Sequence, residues 1–553
     1  MATSIVSREY SMMDHWKCLL SCSVVATTAF LYGMDIIIVD TLQAMPGFLE
    51  VFGNRDPTTP TGYNISPIRQ QLFGTLVVLG NIISCGSSGL VSHYIGRRAS
   101  IWVGSVFLTL ATVLMMVVDT IGGAYAARFL VGISQGFIYT FFNLYLQECA
   151  PARYRGLVLS ISGAVLVFGR PFVIEDVSPF MQCPYEKITP GSLTGSIVAN
   201  YSVKLPGRQQ YLIPLGVSLV FSAVFMFGAV FIVPESPRWL LLQNKDDEAR
   251  RSLKALKPKT ESEYDINVEL SYMKAAIDEE KRLAQGVTFK DAFRHPVDRR
   301  RTMLVIGTAL LTPVTGITWH GTYGTYMFQM AGIKKPFEQS VGLAASALGF
   351  SIMNTLTITK MGYRRLWLIA GLLICGACNV VMAATYQAHP GSRGSGIVTI
   401  AMFHVFNLGY IGMVLTYSRL ICGELPSQRL RALTLGFAVG ANAIAEWVTN
   451  IIAPYFLNPA ALGWNAKFAY LWAPGCVLGA LWAYLYLPEV KDRRLEEIDE
   501  MFLARLPAKK FRQYECVGIG ALAVASDSSP SISNVADKKD EVTVIARAVS
   551  NSA

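Results

Sequence analysis

The sequence is poor in charged residues and in groupings of side chains that catalyse reactions. Charged residues make up 16% of the 553 residues, whereas a soluble domain carries about 25%. Hydrophobic residues make up 52%, which is more apolar surface than a soluble core can bury. No nucleophile–base pair and no cluster of metal ligands stands out in the sequence. These deficits exclude an ordinary soluble protein and argue against an enzyme, so we expect neither a cofactor nor a metal site.

The ten cysteines carry little information about function. Most of them fall within apolar runs. Cys375 and Cys378 form a C-x-x-C pair, but the pair lies inside one such run with no histidine or acid beside it. Packing of small side chains between helices is therefore favoured over a metal or redox site.

Long apolar runs fill most of the chain, for example Ile101–Val118, Tyr211–Val233 and Leu366–Ala384. A membrane-spanning helix needs about 20 such residues, and this rule gives about twelve spans. The first run, from about Cys18, is too long for the apolar core of a cleavable signal peptide. We interpret it as the first span. The sequence therefore predicts an all-α membrane protein in a lipid bilayer.

Basic residues are not distributed evenly among the short loops. They fall in alternate loops, while the intervening loops have few or none. This is the positive-inside bias, so the net charge of +10 does not indicate nucleic-acid binding. The bias predicts that both termini and the long middle loop are cytoplasmic. Two N-x-S sequons, at Asn64 and Asn200, fall in loops predicted to be outside and are candidate glycosylation sites.

Three short patterns occur twice in the same order. A basic turn appears at Tyr94–Arg98 and again at Lys360–Arg365. A glutamate and an arginine seven residues apart follow, first Glu148 with Arg155 and then Glu424 with Arg431. A Pro-Glu pair then ends an apolar run, at Glu235 and at Glu489. One membrane unit has therefore been duplicated, an architecture typical of transporters.

The repeats and the charge distribution divide the chain into five parts. We predict a cytoplasmic N-terminus over residues 1–16, an N-terminal six-helix bundle over 17–233 and a cytoplasmic helical linker over 234–300. A C-terminal six-helix bundle follows over 301–488, and a cytoplasmic tail, disordered towards its end, over 489–553. In the linker, charges recur at helical spacing in Asp246–Leu256 and Ile266–Leu283. A short helical bundle is favoured there over a solvated connection.

The motifs resemble those of a known family. P-E-S-P-R-W-L at Pro234–Leu240, the repeated glutamate–arginine spacing and the G-R-R turn are similar to the sugar porters of the major facilitator superfamily. The C-terminal half, including Gly324–Gly332 and Glu496–Phe502, resembles fungal α-glucoside (maltose-type) proton symporters. The resemblance implies two pseudo-symmetric bundles of six helices around a cavity that opens alternately to each side. It also implies a protein that functions as a monomer and uses the proton gradient.

The resemblance gives the repeated charges a role at the cytoplasmic helix ends. Ion pairs there can hold the transporter shut on the inside and break when it opens inward, because partly exposed pairs are individually weak. The alternative is that the arginines only fix the topology. His93 stands where the family has an acid, which weakens part of this network. The predicted gate comprises Arg97, Arg98, Glu148, Arg155, Glu235, Arg238, Arg364, Arg365, Glu424 and Arg431.

Two charges inside predicted spans are candidates for proton coupling. Asp35 lies 18 residues after Lys17, or about 27 Å along a helix. Arg128 lies 20 residues before Glu148 on a helix of the opposite direction, which places it at a similar depth. In the sugar porters the acid of the first helix pairs with the arginine of the fourth and couples protons, and we transfer that role to these residues. A static ion pair is the alternative.

The expected substrate cavity departs from the sugar porter pattern. The predicted cavity residues are Glu446, Trp447 and Asn450 on the eleventh span, with Tyr323 and Arg170. Thr312, Pro313 and Thr318 stand where amides are usual, and amides suit sugar hydroxyls because they both donate and accept. Arg170 and Arg419 add positive charge and raise the alternative of an anionic cargo, although both arginines have acids nearby in sequence with which they could pair.

The sequence thus favours a proton-coupled transporter that takes up a sugar, a glycoside or a similar small polar solute across the plasma membrane. An exporter or carrier of an organic acid or secondary metabolite is the alternative. A nutrient sensor that does not transport is a third possibility, although the tail is short for signalling.

Overall fold

The computed structural model describes residues 16–149, 185–257, 263–284 and 288–516, except for 358–362 and the single residues 58, 60, 61, 332, 334, 428, 492, 494 and 515. Arg155 and Arg170, predicted as gate and cavity residues, lie outside the described residues, as does the tail beyond 516. The described part is almost entirely helical, and its one sheet is a two-stranded hairpin.

Long helices dominate the N-terminal half. They are α1 (Trp16–Leu42), α3 (Pro67–Ile95), α4 (Arg97–Val117), α5 (Ile121–Cys149), α6 (Tyr185–Ser202) and α7 (Gln209–Phe231). The short helix α2 (Pro46–Phe52) and a hairpin of β1 (Asn54–Arg55) and β2 (Tyr63–Asn64) connect α1 to α3. The strands are antiparallel, with Asn54 opposite Asn64.

The described residues of the predicted linker form four shorter helices. They are α8 (Pro237–Leu242), α9 (Asp246–Leu256), α10 (Glu263–Ala284) and α11 (Asp291–Arg294). Helix α9 matches the predicted range, and α10 begins three residues before it. Leu253 and Leu256 of α9 are buried, while the charged faces pair across the helices, as in Lys274–Asp246 at 2.9 Å. Burial of one apolar face explains why these polar segments form helices.

The C-terminal half repeats the pattern of long helices. They are α12 (Pro296–Val314), α13 (Ile317–Met330), α14 (Pro336–Thr357), α15 (Arg364–Ala388), α16 (Arg393–Gly409), α17 (Thr416–Glu424), α18 (Arg431–Leu457) and α19 (Ala473–Tyr486). A π-helical turn at Tyr410–Leu415 joins α16 to α17, and a 3-10 segment at Asn465–Leu471 precedes α19.

Ten of these segments are long and apolar enough to cross a membrane, counting α12 with α13 and α16 with α17 as single spans. Helices α6 and α14, with 18 and 22 residues, are further long helices of the described part of the chain. The ten candidate spans and the helical content confirm the predicted all-α membrane fold.

The seventh span is interrupted between α12 and α13. Pro313 cannot donate a backbone hydrogen bond, and Gly316 adopts the left-handed conformation, with φ of +86°. The chain resumes as a helix at Ile317. Broken helices in transporters are tolerated where they line a cavity. The break separates Thr312, on one side, from Tyr323 and Thr325 on the other.

Hydrogen bonds close one end of the molecule between the two halves. We call the end that carries β1 and β2 the hairpin end, and the opposite end, where α4 and α15 begin, the basic end. Asn458 of the C-terminal half donates to the Ile65 carbonyl oxygen at 2.7 Å and to Gln70 at 3.2 Å. Tyr326 donates to Asn64 Oδ1 at 2.9 Å. The hairpin end is therefore shut in this structure.

The segment after the last span packs against the C-terminal half at the basic end. Helix α20 (Leu495–Leu503) and a 3-10 turn at Ala508–Gln513 bury Phe502 and Phe511. Arg301, which is also buried, pairs with Asp499 at 2.5 Å and donates to the Leu425 carbonyl oxygen. The first part of the predicted tail is thus an ordered element of the C-terminal half.

Candidate functional site

Asp35 and Arg128, the predicted coupling residues, lie together inside the N-terminal half. Both side chains are buried, with 4% and 3% of their surface exposed. They line the same small cavity, along with Thr112 and several apolar side chains. Gln135, two turns after Arg128 on α5, donates from Nε2 to Asp35 Oδ2 at 2.8 Å. The structure thus places both charges on the wall of one cavity, at the similar depth expected from helix rise.

The guanidinium of Arg128 makes few polar contacts. Its Nε and Nη2 atoms have no hydrogen-bond partner among the described residues, and the group lies 5.4 Å from the centre of the Phe73 ring. A buried charge with unsatisfied donors is costly unless another group compensates it. Asp35 supplies an opposite charge across the cavity. The arrangement can hold a proton on the acid or release it, depending on how close the two groups come.

A second buried acid, Asp40, lies on α1 near the hairpin end. Its side chain is 3% exposed, and its Oδ2 lies at hydrogen-bond distance, 2.8 Å, from Thr325 Oγ1 of the opposite half. Sequence reasoning missed Asp40, although the rule that charge inside a span indicates function applied to it as well as to Asp35.

Tyr323 and Asn450 of the predicted cavity converge on one glycine of the opposite half. A Cβ atom built on Gly74 of α3 would lie 2.6 Å from Tyr323 Oη and 3.0 Å from Asn450 Oδ1. Neither of these oxygens has a hydrogen-bond partner among the described residues, and Trp447 Nε1 is likewise without one. Unpaired buried donors and acceptors are the groups that a sugar hydroxyl could satisfy.

Glu446 belongs to a polar network between α12 and α18. Thr312 donates to Asn442 Oδ1 at 2.8 Å, and Asn442 donates through Nδ2 to Glu446 Oε1 at 2.7 Å. Arg419 acts electrostatically on the same carboxyl group. Thr312, which stands where the family carries an amide, thus takes part in the polar wall. The sequence did not single out Asn442, although an amide one turn before Glu446 was a usable signal.

The predicted gate residues of the N-terminal half form a buried network at the basic end. Arg97 binds Glu148 with both Nε and Nη2, each at 3.0 Å to the nearer oxygen, and the two side chains are 10% and 6% exposed. Ser236 donates to Glu148 Oε2 at 2.5 Å, and Ser92 accepts from Arg97 Nη1 at 2.8 Å. Hydrogen bonds therefore connect the ends of α3, α4 and α5 to one another and to the segment just before α8.

Glu235 caps the start of α4. Its Oε1 accepts from the backbone N–H groups of Arg97 and Arg98, each at 3.0 Å, and from the N–H of Ser236 at 2.9 Å. A carboxylate at a helix N-terminus is stabilised by the unpaired N–H groups there. Burial raises the pKa of Glu235, and the backbone donors partly offset that rise. Arg98 donates through Nε to the Ala229 carbonyl oxygen, and Arg238 lies in the first turn of α8.

The C-terminal half repeats this network with its own residues. Arg364 pairs with Glu424, and Glu489 Oε2 accepts from the backbone N–H of Arg365 at 2.9 Å. Arg431 donates through Nη2 to the Gly423 carbonyl oxygen at 3.0 Å. The duplicated sequence patterns thus correspond to duplicated contacts.

The ion pairs of these networks lie within one half each. Arg97 and Glu148 join α4 to α5, while Arg364 and Glu424 join α15 to α17. In this conformation they hold a bundle together and do not bridge the two halves. Both pairs are also more buried than the weak exposed contacts expected from the sequence. Their opening and closing as a gate stays a prediction.

Because the Arg97–Glu148 pair is buried, we expect Glu148→Gln to destabilise the protein strongly. The variant keeps the side-chain shape but leaves the Arg97 charge uncompensated, which typically costs about 3–5 kcal/mol. Asp119→Asn is the matched control, since Asp119 pairs with Arg208 at 2.8 Å with both side chains more than half exposed. The control is expected to change stability by less than about 1 kcal/mol. Thermal unfolding of the purified proteins measures both, and equal effects would contradict the assignment.

The two candidate glycosylation sites differ in accessibility. Asn64 is buried, and its Nδ2 donates to Asn458 Oδ1 at 3.1 Å. A glycan on that nitrogen is incompatible with this closed conformation, so the structure argues against the prediction for Asn64. Asn200 lies near the end of α6 and is partly exposed, and its modification stays a prediction.

The model of the family described as "Sugar (and other) transporter" matches residues 21–175 and 181–502. The chain belongs to this sugar transporter family. It is therefore a multi-pass membrane transporter that works by alternating access, as expected, and not an enzyme.

Among curated relatives, the maltose permease MAL61 of Saccharomyces cerevisiae is 25% identical over 524 residues, covering 94% of this chain and 80% of the relative. The α-glucosides permease MPH3 of the same species is 25% identical, covering 88% and 78%.

Solved structures of the Escherichia coli xylose transporter XylE share this fold. The inward-open conformation matches with a TM-score of 0.67 at 18% identity, covering 87% of this chain and 99% of that one. The proton:xylose symporter bound to 6-bromo-6-deoxy-D-glucose matches with a TM-score of 0.63, covering 89% and 100%. This member of the sugar transporter family therefore has the two-bundle fold seen in XylE.

Proposed function

We propose that the protein takes up a sugar or glycoside across the plasma membrane together with a proton. The observation that carries this proposal is the buried constellation of Asp35, Arg128 and Gln135 in a member of the sugar transporter family. Yeast maltose and α-glucoside permeases match along most of the chain, which supports a glycoside as cargo. The positive-inside bias supports a cytoplasmic basic end, with the hairpin end and the closed seam outside.

Uptake would proceed by alternating opening of the two ends. The unpaired Tyr323 hydroxyl and the Asn450 carbonyl oxygen would bond the solute, with Trp447 as a further donor. An acid that binds a proton on one side of the membrane and releases it on the other can link solute movement to the proton gradient. Arg128 lies across the same cavity as Asp35, so the electrostatic surroundings of this acid change as the two groups approach or separate. A monomer contains all of these groups.

An anionic cargo is less well supported than a sugar. Arg419 acts on Glu446, so its charge is at least partly balanced within the cavity wall. Arg170, the other candidate arginine, lies outside the described residues. A sugar is therefore favoured as cargo, because the charge of Arg419 is offset by Glu446 while Tyr323, Asn450 and Trp447 offer unpaired polar atoms in the described part of the cavity.

Reconstituted vesicles with a defined pH gradient test the cargo directly. We expect maltose or a related glycoside to accumulate when the outside is acidic, and organic acids to show no carrier-dependent uptake. Arg419→Gln and Arg170→Gln are then expected to leave the choice between the two classes unchanged. Accumulation of an organic acid that Arg170→Gln abolishes would replace the sugar proposal by the anion alternative. Outward-driven transport alone would indicate an exporter, and no transport of any solute would favour a sensor.

A further inference from the structure

Asp40 forms the start of a hydrogen-bonded chain that crosses from the N-terminal to the C-terminal half. Asp40 Oδ2 lies 2.8 Å from Thr325 Oγ1 on α13. Thr325 Oγ1 lies 2.7 Å from Ser340 Oγ on α14, and Ser340 Oγ lies 3.2 Å from the Pro336 carbonyl oxygen. The chain ends there, at a group that can only accept. All three side chains are buried, with at most 5% of their surface exposed.

The number of hydrogens along this chain depends on the charge of Asp40. If Asp40 is ionised, Thr325 must donate to it and Ser340 donates either to Thr325 or to Pro336, so one of the three contacts has no hydrogen between its two oxygens. If Asp40 carries a proton, it donates to Thr325, Thr325 donates to Ser340 and Ser340 donates to Pro336. Each of the three contacts then contains one hydrogen. Complete satisfaction of a buried chain favours the protonated form.

The other oxygen of Asp40 points to the same conclusion. Oδ1 is buried and has no hydrogen-bond partner among the described residues. An ionised carboxylate whose hydrogen bonds come from Thr325 alone is far more costly in an apolar setting than a neutral carboxyl group. Among the described residues, a cation to offset the charge is not found beside it.

The titratable groups on the surrounding elements do not supply that cation. Tyr323 on α13 acts electrostatically on Asp40 and is neutral or negative, never positive. On α1 itself the nearest acid is Asp35. The charged groups of α5 are Arg128, whose electrostatic partner is Asp35, and Glu148, which pairs with Arg97 at the basic end. The residues of α6 with described side chains, 190–202, include no charged group. On α7 and the first turn of α14, the titratable groups are Tyr211 and Glu338.

We propose that Asp40 is a second proton-binding carboxyl group, distinct from Asp35, which must be protonated for the hairpin end to close. When that end opens, Thr325 and Ser340 leave with the C-terminal half, water reaches Asp40, and the carboxyl group loses its proton to that water. When the end closes, Asp40 takes one proton from the same water. Acid on that side therefore favours closure, and the closed state is lost as the pH rises.

This role rests on the proposed function, in which the hairpin end is the entry for solute and proton. It adds a condition to the transport cycle. The hairpin end closes over the cargo in a larger fraction of molecules when the outside is acidic than when the outside is neutral. Asp35 would carry the coupled proton, while Asp40 would set the pH at which the entrance shuts.

The opening of the hairpin end can be measured with a pair of spin labels. Ile68 on α3 and Leu462 after α18 are 60% and 56% exposed and belong to opposite halves at this end. Ile68→Cys and Leu462→Cys are labelled in the full chain, in lipid nanodiscs and without substrate. Protein without the two new cysteines gives the background from native cysteines. Pulsed electron resonance then gives the ratio of closed to open molecules as a function of pH.

If closing binds one proton, the ratio of closed to open molecules falls about tenfold for each pH unit over the range in which Asp40 is ionised in the open state and protonated in the closed state. We expect Asp40→Asn, which mimics the protonated acid, to stay closed and to reduce this slope by about one proton. Asp35→Asn is the matched control and is expected to keep the proton contributed by Asp40. Thr325→Val, which removes the first acceptor of the chain, is expected to lower the closed fraction but keep the slope.

An unchanged slope in Asp40→Asn would overturn the proposal, as would a variant that stays open at every pH. Because the measurement uses neither substrate nor a gradient, it is independent of the cargo. If vesicles show transport that ignores the pH gradient, proton coupling through Asp35 fails, and the slope still decides the role of Asp40.

Discussion

Asp35→Asn is expected to abolish the accumulation of sugar that an inward proton gradient drives. With one proton per sugar, a gradient of one pH unit supports up to about tenfold accumulation. The variant is expected to reach no more than the outside concentration, because asparagine cannot carry the proton. Its amide has nearly the shape of the acid and can still accept the hydrogen bond from Gln135, so the fold should be preserved. Uptake of labelled sugar into vesicles at set inside and outside pH measures the effect.

Exchange of labelled for unlabelled sugar is the control that separates coupling from general damage. Exchange needs the moving halves and the cavity but no net proton transfer, so the variant should retain it. Asp119→Asn, an exposed acid on the loop before α5, should accumulate sugar like the wild type. If Asp35→Asn accumulated sugar as the wild type does, Asp35 would not be the coupling acid. Loss of exchange together with accumulation would instead indicate a structural ion pair.

The sequence predicted the fold well because the signals for membrane helices are local. Apolar length and loop charge can be read without knowing any contact between helices, and the duplicated patterns supplied the two halves. The interruption of the seventh span at Pro313 and Gly316 was also visible as residue types, although the π-helical turn at Tyr410–Leu415 was not. Such a turn depends on how the helix packs, which short-range patterns do not encode.

The candidate site was predicted in part. Asp35 and Arg128 could be brought to the same depth by helix rise, and the structure places them on one cavity. The contacts that close the hairpin end could not be predicted, since Asn64 and Asn458 are 394 residues apart and nothing local links them. For the same reason the sequon at Asn64 suggested an exposed loop, whereas the side chain is buried between the halves.

The tail shows a similar limit. A charged helix was expected after the last span, but its docking depends on Arg301, which comes from the start of the C-terminal half. Buried phenylalanines at Phe502 and Phe511 rest near this arginine and its neighbour Arg300. Pairing between distant segments, unlike apolar length, requires the tertiary structure.

Gly74→Trp is expected to stop transport by holding the hairpin end open. Even a Cβ at this position would lie 2.6 Å from Tyr323 Oη and 3.0 Å from Asn450 Oδ1, both of the opposite half. An indole cannot fit into the closed seam without displacing these groups. A clash of about 3 kcal/mol in the closed state would lower its population about 100-fold. Uptake and exchange are both expected to fall by that factor, because each requires the hairpin end to close.

Gly86→Trp on the same helix is the matched control, since Gly86 is exposed and a Cβ there has no atom within 4 Å. It should transport like the wild type. Sugar binding separates blocked closure from loss of the site: if the cavity opens at the hairpin end, purified Gly74→Trp should still bind sugar added from that side. The spin labels at Ile68 and Leu462 should then report one long distance at every pH. Normal exchange in Gly74→Trp would mean that the contact of Tyr323 and Asn450 with Gly74 is not part of the closed state used in transport.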